Sequence, residues 1–292
     1  MDGIFNVIKP PDMTSFDVVA YLRHALKTKK IGHGGTLDPD AAGVLPVFAG
    51  TATRLLEFAV EGEKEYIAEF TLGKETSTGD DTGAVLRTLP VPVLEENLLE
   101  ETLAKFLGKQ MQMPPMYSAL KIDGQKLYKL ARQGIEVERK AREIEVFALE
   151  LLNFPENTCT VRIKCSKGTY IRVLGEDISR TLGTCGTMSF LLRTQVAGFY
   201  INEAHTLAEI VSNPEGCMSK PISAVSDLAK IILTPKQAFR VTSGVRTTIR
   251  NLEDGRYAIL GPEEEFLGIG LASEGMLKAE KIFAQYPRPE ED

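Results

Sequence analysis

The feature that most restricts the fold is the mixed order in which strand-like and helix-like segments follow one another. Residues 64–73 alternate apolar and polar side chains, as a half-buried strand does, and residues 160–166 repeat this alternation. Residues 171–182 instead place apolar side chains at helical spacing. Several strand patterns are neighbours in sequence, which favours antiparallel pairing. The sequence therefore predicts an α+β fold with a large, mixed, mostly antiparallel sheet flanked by helices.

The pattern changes near residues 230–235, where an apolar run leads into Thr234-Pro235. Beyond this point, short strand-like segments are separated by turn signals containing glycine and proline. We therefore expect two domains, a large one over residues 1–232 and a small β-rich one over residues 233–292. Both lengths lie within the usual range for domains.

Charge is distributed unevenly over this chain, whose formal net charge is −6. Residues 57–101 carry twelve acidic and three basic side chains, whereas residues 121–143 carry seven basic and four acidic ones. Such segregation suits a polyanionic partner, because local patches rather than net charge make phosphate contacts. Solvated charge on surface faces would give the same pattern.

Nothing in the sequence indicates a membrane or an export pathway. No stretch reaches the roughly 18–20 consecutive apolar residues that a membrane-spanning helix requires. The first residues, MDGIFNVIKPPD, combine an acidic second position with a short apolar run, unlike a secretory signal. We therefore expect a cytoplasmic protein with no membrane partner.

Motifs for metals and cofactors are missing from the sequence. The four cysteines form no CxxC pair, and with only three histidines no metal-ligand spacing can be assembled. The chain also contains no phosphate-binding P-loop, no complete dinucleotide fingerprint and no GxSxG nucleophile elbow. The sequence therefore predicts neither a metal site nor a cofactor.

A glycine-rich loop, GHGGTLDPDAAG, fills residues 32–43 and holds a cluster of polar side chains. Its three closely spaced glycines permit backbone conformations, and close approach by a ligand, that other residues prevent. Asp38 is followed by Pro39, whose ring restricts φ. These residues alone leave two interpretations open: a structural Asp-Pro turn, or a carboxylate pair of Asp38 and Asp40 such as glycosidases use.

At this loop the chain resembles the TruB-type tRNA pseudouridine-55 synthases, and the resemblance extends over most of residues 3–194. The matching blocks stand in the family's order and are NVIKPPDMTSFDVV, GHGGTLDPDAAGVLPV with GTATRL, KEYIAEFTLGKETSTGDDTG, QMPPMYSALKIDGQKLYKLARQGIEVERKAR, and CSKGTYIRVLGEDIS with GTMSFLLRT. Several such blocks in register are much more specific than one motif.

The resemblance implies a reaction on RNA. Enzymes of this type isomerise one uridine in the T-arm stem-loop of tRNA to pseudouridine, by breaking the N-glycosidic bond and joining C5 of the rotated uracil to the ribose. The reaction transfers no external group, which agrees with the missing cofactor motifs. Asp38 matches the family's essential aspartate, which would act at C1′ or C2′ of the ribose or at C6 of uracil.

The resemblance also assigns two partners to Asp38. Arg172 matches the arginine paired with that aspartate, and such a guanidinium is expected to lower the carboxyl pKa. Tyr66 matches the tyrosine that stacks on the target base and to which proton transfer is also assigned. The sequence pattern alone leaves Arg172 as a helix-surface residue and Tyr66 as a core residue of its strand.

Further matches concern RNA binding. Tyr170 and Leu192 match residues that line the uracil pocket, and His33 matches the histidine that fills the space vacated by the everted base. Lys9 and an insertion at about residues 121–143 match RNA-contacting regions. Taken singly, Tyr170 and Leu192 are also typical core residues, and a lone histidine in a glycine loop is often a hydrogen-bonded turn residue.

The C-terminal segment resembles a short PUA-type RNA-binding domain in its position and strand pattern. Two other functions remain open beside the leading one: a tRNA chaperone or binding module without catalysis, and a glycoside-type hydrolase. We expect a monomer, because the sequence contains no long amphipathic seam.

Overall fold

The computed structural model describes residues 1–118, 120–122, 124–131 and 133–289. Its strands, in chain order, are β1 (Gly3–Lys9), β2 (Ile31–His33), β3 (Ala42–Ala49), β4 (Lys64–Leu72), β5 (Lys74–Thr76), β6 (Val85–Thr88), β7 (Gly108–Gln112), β8 (Lys121–Ile122), β9 (Gln125–Lys126), β10 (Arg142–Asn153), β11 (Thr158–Cys165), β12 (Gly186–Val196), β13 (Phe199–Tyr200), β14 (Met218–Ser219), β15 (Ala229–Ile232), β16 (Thr247–Thr248), β17 (Gly255–Leu260), β18 (Phe266–Ser273) and β19 (Met276–Ile282).

Short helices connect these strands. The α-helices are α1 (Ser15–Ala25), α2 (Leu56–Glu61), α3 (Glu96–Ala104), α4 (Leu127–Ala131), α5 (Ile171–Thr181), α6 (Leu207–Ser212) and α7 (Pro235–Thr242). Three 3-10 helices lie at Gly50–Leu55, Ile201–Glu203 and Pro221–Val225. Within the described residues, no helix is both long enough and apolar enough to cross a membrane.

The main sheet contains ten strands. Its order is β14-β1-β3-β12-β4-β11-β10-β7, with β2 added to β3 and β13 added to β12. Among the described strand pairings of this sheet, the one between β3 and β12 is parallel and the others are antiparallel. The predicted α+β fold, with a large and mostly antiparallel sheet, is therefore confirmed.

β4 lies in the middle of this sheet and buries alternate side chains, as its sequence predicted. Tyr66, Ala68 and Phe70 belong to one buried cluster, which also contains apolar residues of α3 and α5. α5 approaches β4 closely because Gly175 faces Phe70, where an added Cβ atom would lie 2.2 Å from the ring. This close packing fixes the position of α5, which carries Arg172.

The parallel contact between β3 and β12 depends on a glycine. Gly43 is paired with Arg193 and has a φ of +109°, a conformation that L side chains rarely adopt. A Cβ atom at this position would lie 2.2 Å from the carbonyl oxygen of Arg193. Gly43 thereby brings the glycine-rich loop against β12, beside β4.

The C-terminal sheet has five strands in the order β15-β17-β18-β19-β16. It forms the small β-rich unit that the sequence led us to expect as a PUA-like domain. Its first strand, Ala229–Ile232, precedes the domain boundary predicted at residue 232. This strand pairs in parallel with β17 and not with the main sheet, so the second sheet begins before that boundary.

The two sheets are joined through the segment around α2. The ring of Phe58 lies under two cations of the C-terminal unit, with the Arg256 guanidinium carbon at 5.6 Å and Lys281 Nζ at 5.7 Å from its centroid. Arg54 donates a hydrogen bond to the carbonyl oxygen of Ile282 at 2.9 Å, and Lys281 donates one to that of Arg54 at 2.7 Å. These hydrogen bonds and cation-π contacts form the joint between the two units.

The predicted insertion at 121–143 contains the β8–β9 hairpin and α4. Two of its residues, Asp123 and Arg132, lie outside the described residues. The end of the predicted range belongs to the main sheet, because Arg142 begins β10 and pairs with Gln112 of β7. The insertion is therefore slightly shorter than the sequence suggested.

Candidate active site

The loop at residues 34–41, between β2 and β3, is held from below by Lys9. This lysine is fully buried on β1, and its ammonium group donates hydrogen bonds to the carbonyl oxygens of Pro10, Met13 and Pro39. Burial lowers the pKa of Lys9 to about 8, so the side chain keeps its proton at neutral pH. Lys9 was expected to contact RNA, but its donors are used inside the protein.

Two more side chains hold the same loop. Ser15 Oγ accepts a hydrogen bond from the Leu37 N–H at 2.9 Å and donates to the Leu37 carbonyl at 3.2 Å. Arg193 is buried on β12 and donates to the carbonyl oxygens of Gly35 and Thr36 at 3.2 and 3.4 Å. The backbone on both sides of Asp38 is therefore fixed by α1, β1 and β12.

Asp38 lies on this loop and faces Arg172 of α5. Arg172 Nε is 3.1 Å from Asp38 Oδ2, within salt-bridge distance. The Arg172 side chain is only 6% exposed, whereas 37% of the Asp38 side chain is exposed. The structure thus brings together the two residues that the resemblance paired, with the arginine in the wall and the carboxylate open to a ligand.

The other donors of Arg172 are occupied as well. Its two terminal nitrogens donate to the carbonyl oxygens of Thr78 at 2.8 Å and Tyr117 at 2.9 Å. Asp80 Oδ2 lies 3.6 Å from Arg172 Nη1, and Asp80 Oδ1 accepts hydrogen bonds from the hydroxyls of Thr78 and Thr82. The guanidinium is therefore fixed in orientation as well as in position.

The carboxyl pKa of Asp38 moves in the opposite direction to the one expected from the arginine. Burial raises the pKa of Asp38, Arg172 opposes this shift without cancelling it, and Asp80 and Asp40 raise the pKa further. The Arg172 guanidinium lies near two carboxylates, Asp38 and Asp80, so it lowers the pKa of Asp38 less than it would if Asp38 were its single partner. Access of water to the exposed part of Asp38 limits the shift.

Tyr66 lies beneath the loop on β4 and is 7% exposed. Burial raises the pKa of Tyr66 to about 12, and the Arg193 side chain donates a hydrogen bond to it, which opposes the shift. Its hydroxyl is therefore neutral at physiological pH. Tyr66 shares a buried cluster with Leu37, the residue before Asp38, so the structure brings Tyr66 and the loop together.

Leu192 does not share this pocket. On β12, Leu191 pairs with Ala68 and Leu192 pairs with Ile67, and side chains alternate between the two faces of a strand. Leu191 belongs to the buried cluster of Tyr66, whereas Leu192 is half-buried on the opposite face. The pocket-facing leucine is therefore Leu191, one position before the residue taken from the sequence.

Tyr170 and His33 stand at two other edges of the site. Tyr170 precedes α5, and its backbone exchanges two hydrogen bonds with the Gln112 side chain, at 2.8 and 3.1 Å. Burial raises the pKa of the Tyr170 phenol, which lies near Arg142 and Arg172. His33 is the last residue of β2, pairs with Val47 and is partly buried.

The described residues offer no ready metal site. No group of three or more His, Cys, Asp or Glu side chains lies close enough together to hold a metal ion in the described part of the chain. All four cysteines are buried free thiols. Asp40, the second carboxylate of the glycosidase alternative, is exposed, so the two acids have different environments.

Solved structures share this fold. The chain is similar to one in a crystal structure of a Cbf5-Nop10-Gar1 complex, with a TM-score of 0.76, 26% identity and coverage of 97% of this chain and 85% of that chain. It is equally similar to one in the structure of an H/ACA RNP bound to a substrate RNA containing 2′-deoxyuridine, with a TM-score of 0.76, 25% identity and coverage of 98% and 87%.

The sequence comparisons point to the class of protein, a pseudouridylate synthase. Residues 23–171 match the family described as TruB family pseudouridylate synthase, N-terminal domain. The tRNA pseudouridine synthase B of Alkaliphilus oremlandii is 42% identical over 279 residues, which cover 93% of both chains. The chain therefore belongs to the TruB family, in which it is an enzyme that forms pseudouridine.

Proposed function

We propose that this enzyme isomerises uridine 55 in the T-arm of tRNA to pseudouridine, with Asp38 as the reacting side chain and without a cofactor. The family and the names of its relatives support tRNA as the substrate. The observation that carries the proposal is the position of Asp38. This carboxylate is the exposed member of a fixed ion pair on a loop that three buried side chains hold.

The isomerisation makes few demands beyond a positioned carboxylate. The bond between N1 and C1′ breaks, the uracil rotates, and C5 bonds to C1′. C5 then loses its proton and N1 gains one, so atoms and charge balance without an oxidant or a transferred group. A side chain that adds to the ribose or base, or removes a proton there, has to be ionised, and Arg172 supports that state of Asp38.

The neighbouring residues then take supporting roles. Arg172 orients Asp38, and Asp80 holds Arg172 through the opposite side of the guanidinium. Tyr66 forms the floor on which the uracil stacks, and its high pKa makes it a hydrogen-bonding group rather than a base at neutral pH. Tyr170 and Leu191 complete the pocket.

The target uridine must leave the folded T-loop before it reaches Asp38. Extraction costs a few kcal/mol of lost stacking and pairing, which the enzyme has to offset. We assign His33 to the space that the uridine leaves, because His33 stands at the end of β2, before the loop that carries Asp38.

Basic side chains around the insertion supply phosphate contacts in this proposal. A cavity of about 270 Å³ lies there, and its lining includes the charged residues Glu138, Arg139, Lys140 and Arg142 and the apolar residues Pro114, Leu120 and Leu127. Contacts of this kind position RNA without reading its sequence. The PUA-like domain would supply further RNA contacts, by its resemblance to RNA-binding domains of that type.

The reaction can be followed with a T-arm stem-loop that contains 5-tritiated uridine. Wild-type enzyme should release tritium to water in the presence of EDTA, and Asp38→Asn should reduce the rate by at least about 10³-fold. The variant should melt no lower than wild type, because it removes a charge whose burial is unfavourable and leaves Asp80 beside Arg172. A lower melting temperature would leave loss of fold as the cause.

Other results would contradict the assignment. Full activity of the Asp38→Asn enzyme would show that another group reacts, and inhibition by EDTA would show that a metal takes part. Free uracil among the products would indicate a hydrolase. Tight RNA binding without tritium release from the wild-type enzyme would indicate a binding module.

A further inference from the structure

Phe16 is the most exposed aromatic side chain in the described part of the chain, at 62%. It lies in the first turn of α1, whose residues Val18, Val19 and Leu22 face the core. The side chain of the neighbouring Ser15 is buried, whereas that of Phe16 points away from the core. A large apolar ring exposed at this position is available to stack on a ligand.

The residue before Phe16 is bonded to the loop that carries Asp38. Ser15, which precedes Phe16, exchanges two hydrogen bonds with the backbone of Leu37, the residue before Asp38. The Lys9 ammonium group binds the carbonyl oxygens of Met13 and Pro39, which ties the two segments together a second time. The segment that leads into Phe16 is therefore tied to the loop of Asp38, which places Phe16 at the rim of the candidate site.

The helix that presents the ring is rigid at this end. Thr14 caps α1 by accepting a hydrogen bond from the Asp17 N–H, and the Asp17 carboxylate accepts one from the Thr14 N–H. This reciprocal arrangement fixes the first turn. A ligand that stacks on Phe16 would thus meet a surface that loses little freedom on binding.

The chemistry of this rim favours a base over a phosphate. The exposed side chains of the two segments that Lys9 ties together include the acids Asp12 and Asp40, both of which lie close enough to act on the charge of Lys9. Carboxylates repel phosphate groups, whereas stacking of a nucleobase on an aromatic ring needs no positive charge. A basic side chain at the end of the insertion, Arg142, lies instead near Tyr170.

We propose that Phe16 is a stacking platform for a nucleobase of the RNA substrate other than the reacting uracil, one that flanks the everted uridine. This inference rests on the proposed function, because it takes RNA as the ligand. Stacking here would hold the strand beside Asp38 while the target base turns into the pocket. Phe16 is thus a binding and positioning residue and takes no part in bond making.

The chain contains no tryptophan, which makes a direct test simple. Phe16→Trp introduces a single indole at the proposed contact, and Tyr21→Trp introduces one on the same helix, where the native ring is 46% exposed. Titration with a T-arm stem-loop should quench the Trp emission of the Phe16→Trp enzyme and leave that of the Tyr21→Trp enzyme unchanged. Equal quenching in both, or none at position 16, would overturn the proposal.

Removal of the ring gives a second measurement. Phe16→Ala should weaken stem-loop binding by about 5- to 150-fold, the range for loss of one base-aromatic stack. The loss should appear in KM, with kcat at saturating RNA close to wild type, and Phe16→Trp should restore affinity. Phe16→Leu should stay weak, because it restores apolar area without a flat ring. Recovery by leucine would contradict stacking.

The two proposals fail in different ways. If wild-type enzyme releases tritium from the stem-loop but RNA does not quench the Trp emission of the Phe16→Trp enzyme, the stacking proposal is wrong and the proposed function stands. If wild-type enzyme neither binds nor converts the stem-loop, both are wrong. Quenching at position 16 without tritium release would support the contact and contradict the proposed reaction.

Discussion

At the scale of single residues, Arg172 connects most of the site. Its guanidinium bonds to Asp38 and Asp80 and to the backbone carbonyls of Thr78 and Tyr117. Lysine could not reproduce this pattern, because it offers one nitrogen where arginine offers three. The arginine thus links α5, the β5–β6 hairpin and the glycine-rich loop through one planar group.

The shared guanidinium leads to a prediction about pH. Activity that needs ionised Asp38 falls as the pH drops through its raised pKa, so the acid limb of kcat/KM should lie above the ordinary carboxyl range. Asp80→Asn removes a charge that raises the Asp38 pKa and frees Arg172 for Asp38, so the limb should move to lower pH. The pH profile of tritium release measures both.

A matched variant tests this explanation. Asp81 is the next residue, but it pairs with Lys74 at the surface at 2.8 Å. Asp81→Asn should leave the acid limb where it is in wild type. An equal displacement in both variants would point to a general effect of charge on RNA binding and not to the network around Arg172.

The sequence predicted the central residues of the candidate site better than the residues that support them. Asp38, Arg172 and Tyr66 stood in motifs, and the structure places Arg172 in salt-bridge distance of Asp38 and Tyr66 in one cluster with Leu37 of the same loop. Asp80 escaped notice because two adjacent aspartates in a polar loop give no sign of which one turns inward. Lys9 was taken for a surface cation because its burial depends on carbonyls that approach from the distant Pro39.

At the scale of elements, α5 and β4 determine the geometry of the site together. α5 lies close to β4 because Gly175 has no side chain opposite the Phe70 ring. Arg172 is one helical turn before this contact, so any displacement of the helix moves its guanidinium. A shift of α5 by a fraction of an ångström at Gly175 would therefore change the position of the Arg172 guanidinium relative to Asp38.

Gly175→Ala should show this connection. The new methyl group would lie 2.2 Å from a ring carbon of Phe70, and such overpacking costs about 1–3 kcal/mol of unfolding free energy. A displacement of Arg172 by about 1 Å would lower kcat on the order of 10²-fold. Denaturant unfolding and tritium release measure the two effects.

Arg180→Ala in the same helix is the control. Arg180 pairs with Asp177 at the surface, where its side chain is 66% exposed. Its loss should change the unfolding free energy by less than about 0.5 kcal/mol and leave the rate unaltered. If Gly175→Ala behaves in the same way, α5 is more adaptable than its packing indicates.

The positions of the strands were easier to predict from the sequence than the face of the sheet on which a given side chain lies. Alternation along 64–73 and 160–166 depends on local sequence, and the two segments pair in the structure. The choice between Leu191 and Leu192 instead depends on the register of β12 against β4, with its irregularities after Met188 and Arg193. Register between distant strands leaves no local signal, which explains the error.

At the scale of the whole molecule, the uneven charge distribution provides a basic region for the proposed RNA complex. The formal net charge is −6, yet exposed cations gather on and beside the insertion. Three of them form no ion pair with another described residue, and they are Lys129, Lys140 and Arg142. A small basic region suffices for binding, because phosphate contacts are local.

Binding of tRNA should weaken as salt rises. Each phosphate contact contributes roughly −0.7 to −0.9 to the slope of log K against log salt, so neutralising the three cations to glutamine should flatten the slope by up to about 2 to 3. Arg162→Gln, which breaks a surface pair with Glu150, should leave the slope unchanged. A flat profile for the wild-type enzyme would contradict phosphate binding.

The joint at Phe58 has a consequence for how the enzyme meets its substrate. Two cations from the C-terminal sheet cover a ring on α2, and hydrogen bonds cross the junction in both directions. Ala258 and Ile269 of the C-terminal sheet also share one buried apolar cluster with Phe48 of the main sheet, so hinge bending would expose apolar surface. The two units of the enzyme would then keep a fixed arrangement, and the RNA would have to change its conformation on binding. Stiffening the T-loop should therefore slow the reaction more than stiffening the protein.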